Sequence, residues 1–144
     1  YNHLVDTLTK FHPHLAIVNF REPDMTAHSN NWVGYLSQIQ KVDKLVGDFW
    51  NFLQKDSIYA GVSTLLVTND HGRNLDGVYD GFASHGCTCE GCRHIFLLGI
   101  GPDFKTNYIE TEHYSLVDIA PTICELMGIK MPNAQGKVMK SILK

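Results

Sequence analysis

The stretch Ser63-Thr-Leu-Leu-Val-Thr-Asn-Asp-His-Gly72 (STLLVTNDHG) decides the fold class. Its apolar centre over Ser63–Asn69 is the pattern of a buried strand. Asp70-His71-Gly72 then puts two ligating side chains at the carboxyl end of that strand, followed by a residue free to bend the chain. Two further runs share the pattern: LAIVNF, Leu15–Phe20, and HIFLLGI, His94–Ile100, the latter stopped by Gly101-Pro102. Helical spacing fills the intervals. Leu4, Leu8 and Phe11 recur until Pro13 stops them, and Trp32, Leu36, Ile39, Val42, Val46, Phe49 and Leu53 form one stripe across 31–55. Leu116, Ile119, Ile123 and Leu126 share a face over 115–127, with Asp118 the expected cap, Pro121 in the first turn and Gly128 the stop. The tail GKVMKSILK adds a short strand or a docking turn. The order helix, strand, helix, strand, loop, strand, helix predicts an α/β fold: a mostly parallel sheet with helices on both faces.

Composition narrows the function. The chain has 144 residues, the length of one domain. Twelve Lys and Arg against fifteen Asp and Glu give a net charge of −3, which argues against nucleic-acid polymer binding as the main role. No apolar run reaches the ~18 residues of a membrane-spanning helix. The chain opens Tyr1-Asn2-His3, without Met or a signal-peptide pattern, and reads as a piece of something longer, so targeting is left open with a lean towards an exported or periplasmic setting.

In open α/β sheets, ligands bind beyond the carboxyl ends of the strands. Asp24 and His28 follow the first run, Asp70 and His71 the second, and His85 lies in the loop Gly81–Gly86. All five are competent ligands for a divalent transition metal. Asp24 and His28 are four apart, so one helical turn places both on one face. Asp70 and His71 can address one metal or two, because the chain turns at Gly72. Each pair alone reads as a surface pair or a capped turn; their conjunction at strand ends carries the metal reading.

As a set, PDMTAH, TNDHG, ASHG and the closing SLVDIAPTICELMGI resemble the alkaline phosphatase superfamily from about Leu15 to Leu143. The similar branches are the nucleotide pyrophosphatase/phosphodiesterases, the phosphopentomutases and the cofactor-independent phosphoglycerate mutases. The resemblance implies a two-metal site, with Asp24, His28 and His85 on one ion and Asp70 and His71 on the other. It implies Zn, with Mn as rival, and a small phosphate-ester, sugar or nucleotide substrate. Paired ions ~3.5–4 Å apart stabilise entering and leaving oxygens of an in-line displacement. The family's remaining Asp ligand and its Thr or Ser nucleophile precede these motifs, and no such segment precedes Leu15. Residues 1–144 are therefore expected to be the C-terminal portion of one metallohydrolase catalytic domain, inactive alone, with the second ion held more weakly. Hydrolysis of a phosphodiester or phosphomonoester is the leading expectation. A sulfatase is the first rival, disfavoured by His28 and His85 because sulfatases use Ca. A phosphomutase and a non-catalytic metal-binding half-site are the others.

The remaining polar clusters are less directive. Cys87, Cys89 and Cys92 read as loop thiols or as a local disulfide with a spare; a zinc site would want a fourth ligand, which His94 could supply. Cys124 lies beside an apolar helix face and reads as core. Arg73, Asn74 and the stretch Asp76–Asp80 either line the pocket or form a solvated loop. Thr26, Ser29, Ser84 and Thr88 are expected to cap backbone rather than attack phosphorus.

Overall fold

Local sequence signals set the helices. The computed structural model describes residues 1–144. Helix α1 (Asn2–Phe11) ends where His12 enters the left-handed region at φ 46°, its N–H donating to the Leu8 carbonyl. Helix α2 (Glu22–His28) starts with Pro23, whose missing N–H costs nothing in a first turn, and with two acidic residues that favour the positive end of the helix dipole. Helix α3 (Trp32–Lys55) is capped by Asn31, whose side chain accepts the Gly34 N–H at 2.8 Å. A single turn of 3-10 helix at Gly81–Ala83 and the one-turn helix α4 (Glu90–Arg93) follow.

The chain divides into two compact units. The first comprises Tyr1–Gly61 and His71–His94; the second comprises Val62–Asp70 and Ile95–Lys144. In the first unit Leu8, Ala27, Leu53 and Cys92 are buried. The stripe of α3 is only partly covered: Leu53 is buried, whereas Trp32, Leu36 and Ile39 at the other end of the helix stay exposed.

The second unit holds the only ladder. Strand β1 (Leu65–Thr68) pairs with strand β2 (Leu97–Ile100) in antiparallel register, Leu65 opposite Ile100 and Thr68 opposite Leu97. The expected parallel sheet is not what forms. A parallel pair needs a crossover long and regular enough to return the chain to the same end, usually a helix. Residues 69–96 carry only α4 and a 3-10 turn. The run Leu15–Phe20 is in no ladder, and Ile17 is 86% exposed. Its apolar content suits a strand, but strand pairing depends on a partner distant in sequence, which periodicity cannot supply.

The C-terminal helix also starts differently from expectation. Ser115 is the cap: a capping box joins Ser115 and Asp118 around the 3-10 turn Leu116–Asp118, which runs into α5 (Ile119–Leu126). Asp118 serves from inside the turn rather than from its start. Gly128, at φ 67°, follows the helix as expected. The tail forms a 3-10 turn, Lys140–Ile142, and an isolated antiparallel bridge from Leu143 to Phe104, with Phe104 and Met139 buried. No helix is long and apolar enough to cross a membrane.

Candidate metal centre

Helix α2 presents Asp24 and His28 one turn apart, with Asp24 Oδ1 and His28 Nε2 3.4 Å from each other. His85 reaches the same point from the chain after the 3-10 turn: its Nε2 is 3.5 Å from Asp24 Oδ1 and 3.1 Å from His28 Nε2. A tetrahedral ion with bonds of 2.0–2.1 Å puts neighbouring ligand atoms about 3.3 Å apart. The three edges of this triangle bracket that value, so these side chains could hold one ion with little movement.

Aromatic packing fixes the approach of His85. Phe82 in the 3-10 turn meets Trp32 edge-on, ring centroids 4.9 Å apart, and stacks on Tyr35 at 6.2 Å. Both partners lie on α3, so Phe82 ties the turn to that helix three residues before His85.

His71 joins the cluster from the segment that opens at the carboxyl end of the β1 run. Its Nε2 is 3.9 Å from Asp24 Oδ1, and its ring stacks on His85 with centroids 3.7 Å apart and planes 17° apart. His71 Nδ1 is 2.9 Å from the Gly72 carbonyl. A carbonyl only accepts, so Nδ1 carries the proton and Nε2 keeps its lone pair in the neutral ring. Burial lowers the pKa of His85 below its ordinary value, and the positive charge available to His71 lowers it further; Asp24 opposes the shift, while Arg73 and His28 add to it. The shift favours the neutral imidazole, the ligating form.

Arg73 is the residue that spacing alone left open. Its Nη2 donates to Asp24 Oδ1 at 2.5 Å and to the Asp24 carbonyl at 3.1 Å, and its guanidinium carbon stands 5.7 Å from the centre of the Tyr35 ring. Its Nη1 is buried without a hydrogen-bond partner. Asn74 is buried as well, so neither residue belongs to a solvated loop. The signal available in sequence was their position directly after the Asp-His-Gly turn.

Of the five expected ligands, Asp24, His28, His71 and His85 come together in the first unit. Asp70 is the last residue of the second unit's first segment, and His71 begins the first unit's second segment. The family resemblance placed His71 with Asp70 on a separate ion; here its Nε2 faces Asp24 and its ring covers His85.

The family model of the Metalloenzyme superfamily matches residues 1–131. Curated relatives include the 2,3-bisphosphoglycerate-independent phosphoglycerate mutases of Gracilaria tenuistipitata var. liui, 32% identical over 85% of this chain, and of Clostridium tetani, 30% identical over 82%. The enzyme of that name from Ureaplasma urealyticum is 31% identical over 89%. The match spans 22% of the first two relatives and 24% of the third. A site whose carboxylate and imidazoles stand at metal-ligand spacing thus sits in a sequence matched almost end to end, and the chain belongs to the Metalloenzyme superfamily, the alkaline-phosphatase-like family of divalent-metal enzymes.

Proposed function

We propose that this chain carries the histidine–carboxylate ligands of a two-metal phosphoryl-transfer site, and that the reaction is that of a phosphomutase. The observation that carries the metal reading is the triangle of Asp24 Oδ1, His28 Nε2 and His85 Nε2, with edges of 3.1 to 3.5 Å. The relatives' names favour the mutase over ester hydrolysis, the leading expectation from sequence. The two reactions share the phosphate-accepting step and differ in what takes the phosphoryl group afterwards, water or a second hydroxyl of a small substrate.

Asp24, His28 and His85 would hold the first ion, with the His71 Nε2 facing Asp24 beside them; it is the family resemblance, not the geometry, that assigns His71 and Asp70 to a second ion. Zn fits the imidazole-rich set and Mn is the rival. When bound, such ions neutralise charge on the transferring group and its flanking oxygens. The chain's own residues prepare the site. The Gly72 carbonyl holds His71 in one tautomer, and burial favours the neutral form of His85. Arg73 brings a permanent cation into the cluster, suited to an anionic phosphate ester. The attacking hydroxyl belongs, by family resemblance, to a Thr or Ser upstream of these motifs.

The test has two parts. Zn2+ and Mn2+ binding is measured on the metal-stripped chain and on Asp24→Asn, His28→Ala and His85→Ala. Loss of a direct ligand is expected to weaken binding at least about 100-fold, beyond the 10–100-fold typical of an outer-shell partner. The longest natural form is then assayed for interconversion of 2- and 3-phosphoglycerate and for hydrolysis of p-nitrophenyl phosphate and p-nitrophenyl sulfate. Phosphoglycerate interconversion supports the mutase. Hydrolysis of either nitrophenyl ester without interconversion overturns it, and unchanged metal binding in all three variants overturns the ligand set.

A further inference from the structure

Three thiols gather at a point in the first unit that the phosphoryl-transfer reading does not use. The Sγ atoms of Cys87, Cys89 and Cys92 lie within 4.8 Å of one another, and Cys87 Sγ is 3.2 Å from Cys92 Sγ. None is in a disulfide. A tetrahedral zinc ion with Zn–S bonds of about 2.3 Å sets its sulfur ligands about 3.8 Å apart. Thiols gathered within 4.8 Å can meet that spacing with small side-chain rotations.

The Cys89 N–H donates to Cys87 Sγ at 3.3 Å. Cys92 and Asn74 are both buried, 6% and 5% exposed. Asn74 Oδ1 accepts from the Cys92 thiol at 2.8 Å. Half a turn of that amide would present its Nδ2–H to the Cys92 thiolate, so one buried side chain serves both protonation states. The backbone beneath is closely fitted. The Gly72 N–H donates to the Cys92 carbonyl at 2.9 Å. A Cβ on Gly72 would run into the Gly91 carbonyl, and one on Gly91 into the Arg73 carbonyl. The two glycines let the cysteine turn dock against Gly72–Asn74 at contact distance.

We propose that Cys87, Cys89 and Cys92 bind one zinc ion as a three-thiolate site, with the fourth position open to solvent. Binding Zn2+ to three thiols releases three protons and forms three Zn–S bonds, with no change of oxidation state. A local disulfide would use two of the three sulfurs and leave the convergence of the third without a purpose. The site would clamp the turn that follows His85-Gly86 and fix the direction from which His85 enters the histidine cluster.

The experiment uses the whole chain, purified under reductant and stripped of metal. Co2+ is added as the optical probe, and zinc affinity is measured by competition. The proposal expects thiolate-to-cobalt charge-transfer absorption at one equivalent, displaced by Zn2+. Asp24→Asn should retain this absorption, since Asp24 belongs to the histidine cluster. Cys89→Ser should lose it and bind zinc at least about 100-fold more weakly at this site, beyond the outer-shell range. Zinc protection from alkylation is the second measurement, independent of any variant: Cys87, Cys89 and Cys92 should be shielded and Cys124 not. Absence of thiolate absorption from the chain with all four thiols reduced overturns the proposal. So does equal alkylation of the four thiols with and without zinc, or a reductant-reversible loss of two hydrogens mapped to this turn in chain purified without reductant.

Discussion

Asp24 and Asp118 occupy equivalent local positions and are used in opposite ways. Each is the third residue of its helical turn: Asp24 in α2, Asp118 in the turn Leu116–Asp118. Asp118 folds back on the main chain. It accepts the Ser115 N–H at 2.7 Å, the Lys137 N–H at 2.8 Å and the Ser115 hydroxyl at 3.2 Å, and is only 6% exposed. The Lys137 N–H, with Ser115 adding to it against the opposing effect of burial, holds its carboxyl below the usual carboxylate range. Asp24 turns outward to side chains. Arg73 and the Nε2 atoms of His28, His85 and His71 all face its Oδ1. A carboxylate surrounded by main-chain donors has its lone pairs committed to the fold. One held by a single exchangeable cation and facing imidazole nitrogens keeps them for a ligand.

The difference can be broken most forcefully by deleting each carboxylate. Asp118→Ala removes three part-buried hydrogen bonds, from the Lys137 N–H and from the Ser115 N–H and hydroxyl, at about 1 kcal/mol for each. The expected loss is about 3 kcal/mol by urea unfolding, with zinc binding at the histidine cluster unchanged. Asp24→Ala should cost about 1 kcal/mol in metal-free stability, since it breaks a partly exposed ion pair, while zinc binding there falls steeply. A reversal of these two profiles would remove the distinction between the carboxylates.

A finer test removes the cation that holds Asp24. Arg73 competes with any metal ion for Oδ1 and adds like charge to the cluster. Arg73→Gln is expected to raise zinc affinity about tenfold at low salt, about 1.4 kcal/mol, with the gain shrinking as salt screens the arginine. Weaker binding in the variant would show instead that Arg73 orients Asp24 for the ion.

The same contrast explains what the sequence made legible. Helices and caps are local events, so α1, α3 and α5 appear close to the expected spans, and Asn31 caps α3. Even there, Asp118 sits inside the turn rather than at its start, with one carboxylate oxygen on Ser115 and the other accepting the Lys137 N–H, nineteen residues away. Strand pairing is non-local: two of the three apolar runs form a ladder, shorter than expected and antiparallel. Asp24 and His28 could be read together because helical spacing fixes their relative placement. The direction of His71 could not, because it follows from a strand end, where neighbouring side chains diverge unless the chain bends. The ion pair of Arg73 with Asp24 joins residues forty-nine apart and has no periodic signature.

The smallest expected effect separates the charge of Asp118 from its shape. Because its folded pKa lies below the unfolded value of about 3.9, the unfolded chain binds the proton more readily. Asp118 therefore contributes stability that is fully present above about pH 4 and is lost as pH falls towards the folded value. Asp118→Asn keeps the size of the side chain and one carbonyl acceptor but has no charge to titrate. At pH 7 it should be about 1 kcal/mol less stable than the parent, the order of one hydrogen bond. Below pH 4 the two stability curves should converge. Glu110, also held below its usual range by the Glu112 N–H and the Ser141 hydroxyl, remains in both proteins and leaves each a residual acid limb. What identifies Asp118 is thus the closing gap rather than the slope of either curve. A gap that stays constant from pH 7 to pH 2 would mean that its bonds to Ser115 and Lys137 act through geometry alone.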